Sequence, residues 1–232
     1  MSLVKFGGGI IQMSGSIAGN TFARNRYGQY VRARTKPVNP KTTKQVLVRA
    51  VWAMLTTRWA QTLTANQRAA WNLYASSVAM TNRLGEVIHL TGFNHYIRSN
   101  MIRKQIALAI IDDGPTTFEI PAADPTFAIT ASEATQNITT SYDAGMDWAS
   151  VTGAYMIVYG GQPQNAQRNF FAGPWRVFGV ISGIDAAPPA SPNITASPFA
   201  LAETQRLWCY ARILKLDGRL SEKFRADTFC TA

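Results

Sequence analysis

The 232-residue chain is 47% hydrophobic and 16% charged, with a net charge of +10, a composition that excludes a disordered polymer and leaves room for a sizeable core. The charge is uneven: residues 1–104 hold fifteen Lys or Arg against one carboxylate, Glu86, and residues 105–232 hold eight bases against twelve acids. Such a split points to different partners for the two halves. No secretory signal is read at the start, and the longest apolar run, 106–111, falls far below the roughly 20 residues that span a bilayer.

Residues 1–38 read as an extended β-arm. Gly9, Gly15, Gly19 and Gly28 punctuate short β-prone runs, and the runs 21–24 and 30–34 are expected to pair across the turn in "NRYGQ". Tyr30, Arg32 and Arg34 then share one face, with Val31 and Ala33 on the other. Large apolar side chains are too few here for a core, so the arm must lean on something else. Between Arg24 and Gln45 stand seven bases, Arg24, Arg26, Arg32, Arg34, Lys36, Lys41 and Lys44, and no acid. These, with Tyr30, are the candidate partner-binding residues.

Residues 39–111 read as a small module of three helices. Asn39 and Pro40 suit a helix start, and Leu47, Val51, Met54, Leu55 and Trp59 recur at helical spacing as an inward stripe. Thr64 and Gln67 form a capping-box pattern ahead of Trp71, Tyr74, Ala75 and Val78. A turn at "NRLGE" and a short strand at "VIHL" precede a third helix capped by Thr91, with Phe93, Ile97 and Met101 facing inward. Trp52, Trp59 and Trp71 are expected in the core.

Pro115, Pro121 and Pro125 mark 112–124 as a linker in which Asp112 and Asp113 stay solvated and ionised. Residues 125–232 then alternate in short runs, at 127–130, 138–142, 155–159, 175–181, 207–216 and 220–229, the pattern of a β-sandwich of six or seven strands. Asp217-Gly218 supplies a two-residue hairpin turn between the last two. Cys209 and Cys230 are expected as buried thiols, a bond between facing strands being the alternative. The fold class is thus α+β: a basic β-arm, a three-helix module and a sandwich.

Chemistry is sparse. His89 and His95 have no companions at metal-ligand spacing, and neither serves a nucleophile. "FGGGIIQMSGS" lacks the Gly-Lys-Ser/Thr of a phosphate loop, so its glycines are assigned to turns and tight packing. Asn137 and Asn193 begin glycosylation triplets of the kind that arise by chance. No catalytic residue, cofactor or metal is expected. The arm's bases suit either phosphates or acidic protein surfaces; their interleaving with strand-formers, and the lack of a nucleic-acid fold signature, favour protein.

The order "GSIAGNTFARNRYGQYVRARTKPVNPKTTKQ", "LTANQRAAWNLYA", "TNRLGEVIHLTGFNHYIRSN" resembles a group of phage and prophage proteins. In that group a Gly-containing start with an Arg-Asn-Arg-like turn leads through an Asn-Pro step into helices bearing Gln-Arg-x-x-Trp. The C-terminal part is similar to fibronectin type III or immunoglobulin-like modules. The resemblance implies a structural role in a tailed-phage virion, made in the host cytoplasm. A capsid-associated or decoration protein is the first expectation and a head-tail connector or tail component the second, with other virion proteins and copies of the chain as partners and no membrane. Two readings from other classes are a DNA-packing protein and a carbohydrate-binding adhesin using Phe170, Phe171 and Trp175.

Overall fold

The computed structural model describes residues 2–25, 28–36, 38–81 and 86–232. They divide into two compact units, Met1–Val46 and Leu47–Ala232.

The first unit is one antiparallel sheet of β1 (Ser2–Leu3), β2 (Gly15–Ile17), β3 (Asn20–Asn25) and β4 (Gly28–Ala33), in the order β1-β4-β3-β2. The expected hairpin is present, with Thr21 opposite Arg32 and Ala23 opposite Tyr30. Arg26 and Tyr27, in the expected turn, lie outside the described residues. Gly8, Gly9, Gly15 and Gly28 all adopt positive φ, and no atom lies within 4 Å of where their Cβ atoms would stand. Glycine therefore serves backbone turns here, and the tight packing expected of the "FGGG" run does not occur.

The second unit opens with most of α1 (Thr43–Gln61). The helix begins three residues after the expected Pro40. Lys41 sits at φ 47°, a left-handed break, and the Thr42 hydroxyl then accepts from the Gln45 amide at 3.4 Å, so threonine caps the helix in place of Asn39. Thr64 and Gln67 do close a capping box ahead of α2 (Ala65–Ser77). Thr91 caps α3 (Gly92–Gln105), and between these helices β5 (Met80–Thr81) pairs with β6 (Val87–Ile88). The "NRLGE" turn lies outside the described residues except for Glu86.

Leu55, Leu63, Trp71, Tyr74, Val78 and Tyr96 form the helical core. Aromatic edges hold it together: the Trp71 ring meets Tyr74 at 6.1 Å and Tyr96 at 5.7 Å. Two expectations for α1 fail. Leu47 and Met54 are exposed, as is Trp52, because among the described residues of this unit no element covers the leading half of the helix. On α3, Phe93, Ile97 and Met101 are half-buried, whereas His95, Tyr96, Ser99, Asn100 and Arg103 are buried. That helix is enclosed on several sides, so its polar positions are covered too.

Beyond it, seven strands form one sheet in the order β10-β9-β12-β13-β7-β8-β11. They are β7 (Ala128–Ser132), β8 (Asn137–Ser141), β9 (Tyr155–Gly160), β10 (Arg176–Ser182), β11 (Asn193–Ala196), β12 (Arg206–Leu214) and β13 (Phe224–Thr231). All neighbours are antiparallel except β13 with β7. The sheet folds over at that pairing, so Ile129, Ala131 and Ile138 enclose a core with Met156, Val158, Leu207 and Ile213, around the fully buried Trp148. Alternation along β12 sends Leu207, Cys209, Ala211 and Ile213 into this core.

The opposite face of β9 and β12 is also covered. Ile157, Tyr159, Tyr210, Leu214 and Leu220 form a third cluster, packed by Ile102 of α3 and by Ile106 and Leu108 just beyond it. The Arg98 guanidinium donates to the backbone carbonyls of Leu220, at 2.7 Å, and Ser221, at 2.6 Å, and the Tyr159 hydroxyl lies 3.1 Å from Gln105 Oε1. Helices and sheet are thereby joined by apolar burial and by charge-assisted hydrogen bonds.

The Asp217-Gly218 turn is wider than expected. The Lys215 amide donates to the Arg219 carbonyl, Gly218 takes φ 90°, and β13 starts only at Phe224; before it, the Ser221 amide donates to the Ile213 carbonyl and the Ile213 amide to the Ser221 hydroxyl. Cys209 and Cys230 are both free and buried. Cys209 stands opposite Ala226 and Cys230 opposite Ala131. Four residues of strand, about 13 Å, separate Ala226 from Cys230, too far to bridge.

Candidate partner-binding arm

The sheet register sorts the expected binding residues onto two faces. Cross-strand partners share a face, so Tyr30 and Arg32 lie with Ala23 and Thr21, and Arg34 continues that side beyond the end of β4. Arg24 is paired with Gln29 and lies on the other face, with Phe22 and Val31. There Phe6 and Phe22 place their rings 6.3 Å apart, and Arg24 Nη1 donates to Gln12 Oε1 at 3.4 Å. The register thus keeps Tyr30, Arg32 and Arg34 on one face, as the alternation along the strand leads one to expect, and puts Arg24 on the apolar face. Arg26 lies outside the described residues.

Lys36, Lys41 and Lys44 are exposed. They follow the sheet in an extended stretch, at the left-handed break and in the first turn of α1 respectively. The arrangement offers cationic donors to an anionic surface. Among the described side chains from residue 4 to residue 46 none is buried.

Elsewhere several polar groups are spent internally. Asp112 is no solvated linker carboxylate: Arg58 donates to it through Nε, at 2.7 Å, and through Nη2, and the Tyr96 hydroxyl donates at 3.3 Å. The Arg58 bonds hold its carboxyl below the usual range. Asp113 accepts from Gln67 Nε2 at 2.9 Å. His95 is buried with its ring 5.0 Å from Tyr74; burial, and secondarily Arg98, lower its pKa to about 4. Burial likewise pushes the Cys209 thiol up. Among the described residues no group of three or more His, Cys, Asp or Glu could hold a metal ion, and no helix is long and apolar enough to cross a membrane.

Of the aromatics singled out on the sheet, Phe171 is buried and stacks 6.0 Å from Trp208, and Trp175 sits edge-on between Phe171 and Tyr210. Phe170 is exposed, with the Arg168 guanidinium 5.6 Å from its ring centre. Sequence reasoning missed Arg98, Asn100 and Arg103, whose only signal is a polar residue at a helical position that packing later encloses.

No family model matches the chain, and no curated protein matches it. Among solved structures, the adhesin domain of Epf from Streptococcus pyogenes aligns with 48% of this chain and 32% of that chain, at 9% sequence identity and a TM-score of 0.28. At that similarity neither fold identity nor function transfers.

Proposed function

We propose that the chain is a non-enzymatic structural protein of a tailed-phage virion, capsid-associated and anchored through its basic arm. The observation that carries this reading is a four-stranded sheet with no buried side chain among those described. A sheet without a core is marginal in water, and this one is lined with cations, so it gains its stability by laying Tyr30, Arg32 and Arg34 on an acidic protein surface. Arg24, Lys36, Lys41 and Lys44 add to the attraction from their own positions. Acidic capsid subunits and neighbouring copies are the partners.

In this reading the β-region is a fibronectin type III-like sandwich. Support comes from its two layers, β7-β8-β11 and β10-β9-β12-β13, which match a three-plus-four arrangement of antiparallel strands. From residue 125 onward acids and bases balance at eight each, so this region lacks the net positive charge that draws the arm to an acidic lattice.

Charge reversal tests the anchor. Arg32→Glu with Arg34→Glu is expected to abolish incorporation into particles while leaving the thermal unfolding of the folded chain unchanged. Normal incorporation sinks the reading. So does tight DNA binding by the native chain that collapses with added salt, the mark of phosphate neutralisation.

A further inference from the structure

The outward face of β12 and β13 leaves aromatic rings in water. Arg206 and Trp208 alternate there with the core-facing Leu207 and Cys209, opposite Phe229 and Asp227 of β13. Phe229 is 50% exposed, and Phe170, in the loop between β9 and β10, is 69% exposed. That loop is held in place. The Gly161 and Gln164 amides donate to the carbonyls of Trp208 and Arg206, Phe171 stacks on Trp208, and a Cβ on Gly161 would meet the Phe171 ring at 2.1 Å. Phe170 is fixed as well, since Arg168 donates to its carbonyl at 3.1 Å and lies over its ring. Two rings are thus presented on an ordered base, and a surface ordered beforehand loses little conformational entropy on binding.

Charge does not select what covers them. All three guanidinium nitrogens of Arg206 are engaged, Nε and Nη2 with Asp227 and Nη1 with the Arg168 carbonyl. The same guanidinium lies 5.0 Å from the ring centre of Trp208 and 5.4 Å from that of Phe229. Arg168 donates to the Phe170 carbonyl and to Gln164 Oε1. Side-chain amides supply the selection. Five stand between residues 162 and 169, at Gln162, Gln164, Asn165, Gln167 and Asn169; Gln164 is spent within the loop, and the other four residues are exposed. An amide donates and accepts at once, as a sugar hydroxyl does, whereas a phosphodiester or a carboxylate only accepts. Rings beside amides therefore match a molecule with apolar C–H faces and many hydroxyls.

We propose that Phe170 and Phe229, with Gln162, Asn165, Gln167 and Asn169, bind an uncharged oligosaccharide. Sugar C–H faces lie on the two rings, and the amides bond the hydroxyls. The surface belongs to the larger unit and does not involve the arm, so this reading and the assembly reading fail separately.

The full chain is applied to an array of uncharged hexose and N-acetylhexosamine oligomers, beside sulfated and uronate-containing ones. Binding to uncharged members is expected. Titration with the strongest of them is expected to weaken at least about fivefold in Phe170→Ala and in Phe229→Ala, each of which removes one aromatic anchor, and about threefold in Asn169→Ala, which removes an amide and no ring. Both rings are exposed, so the variants fold, which unchanged thermal unfolding checks. Arg225→Glu reverses a charge on the same face of β13 and is expected to change affinity less than about twofold, because an uncharged ligand offers it no Coulombic partner. The proposal is overturned if no uncharged oligomer binds, if binding is confined to anionic members or displaced by a single-stranded oligothymidylate, or if the ring variants bind as the native chain does. A native dimer that Phe170→Ala dissociates would assign the rings to a second copy and overturn it too. So would loss of array binding in Arg32→Glu with Arg34→Glu, which would assign it to the arm.

Discussion

Residues 4–46 and residues 47–232 use the same amino acids to opposite ends. In the arm, strands pair by backbone hydrogen bonds but their side chains stay at least partly in water, with Phe6 against Phe22 as the ring contact on its apolar face. In the larger unit, one apolar cluster lies on each face of β9 and a third fills the helical module, and Arg98 and Arg103 donate to backbone carbonyls inside it. Hydrogen-bonded strands alone confer little stability; burial does. Under the proposed assembly role, the arm is the part that an outside surface completes.

The sharpest way to break that contrast is to remove a core ring. Trp71 is fully buried, its indole N–H donates to the Asp112 carbonyl at 2.9 Å, and Tyr74 and Tyr96 pack on it. Trp71→Ala is expected to cost about 3–5 kcal/mol in urea unfolding. A next test asks whether helices and sheet unfold together. Arg98→Met keeps the packing of the stem and removes the two bonds to Leu220 and Ser221, at a cost of about 2 kcal/mol. Coincident loss of helical and aromatic signals marks one cooperative unit; a helical transition that separates from the sheet marks two.

Acid is expected to act on the larger unit alone. His95 has a folded pKa of about 4 against about 6.5 unfolded, so between those values the unfolded chain binds more protons. Stability is complete above pH 6.5 and falls as pH drops toward 4, by up to about 3 kcal/mol. Asp112, whose carboxyl Arg58 holds below its ordinary value, loses its contribution further into acid, in the same direction. Urea midpoints measured from pH 7 to pH 4 check the slope. His95→Phe keeps a ring against Tyr74 and is expected to flatten it.

Much of this was legible in the sequence where one local rule dominates. The Thr64–Gln67 box, the Trp71/Tyr74/Val78 face and six of the seven sandwich strands follow from capping and periodicity, which need no tertiary knowledge. The misses share a cause. Leu47, Trp52 and Met54 have the right spacing for a core, yet spacing says nothing of whether another element arrives to cover them. Asn100 is buried because its amide donates to the Ile111 carbonyl, 2.9 Å away, and its carbonyl oxygen accepts the Ile111 amide, a loop contact no periodicity encodes. β11 is four residues long and half-exposed, too short to rise above its surroundings. In the arm, the cations were plain to read, but Arg24 parts from Arg32 only through strand register, which is set across the hairpin and not along the chain.

The smallest effect is the most telling for the arm. Phe22→Ala removes the ring that meets Phe6 from a sheet already open to solvent, so the unfolding free energy of residues 47–232 is expected to change by less than about 0.5 kcal/mol. Amide exchange carries the comparison further. Exchange protection reports the free energy of local opening, and strands without a core open at little cost, so amides of β3 and β4 in the isolated monomer are expected to exchange orders of magnitude faster than those of β9 and β12. If the proposed role in a particle holds, the same arm amides are expected to slow there toward the rates of the core strands. Protection of β3 and β4 in a solitary monomer, equal to that of β9, would mean that the arm is stable by itself, and the physical reason for seeking an acidic partner would be gone.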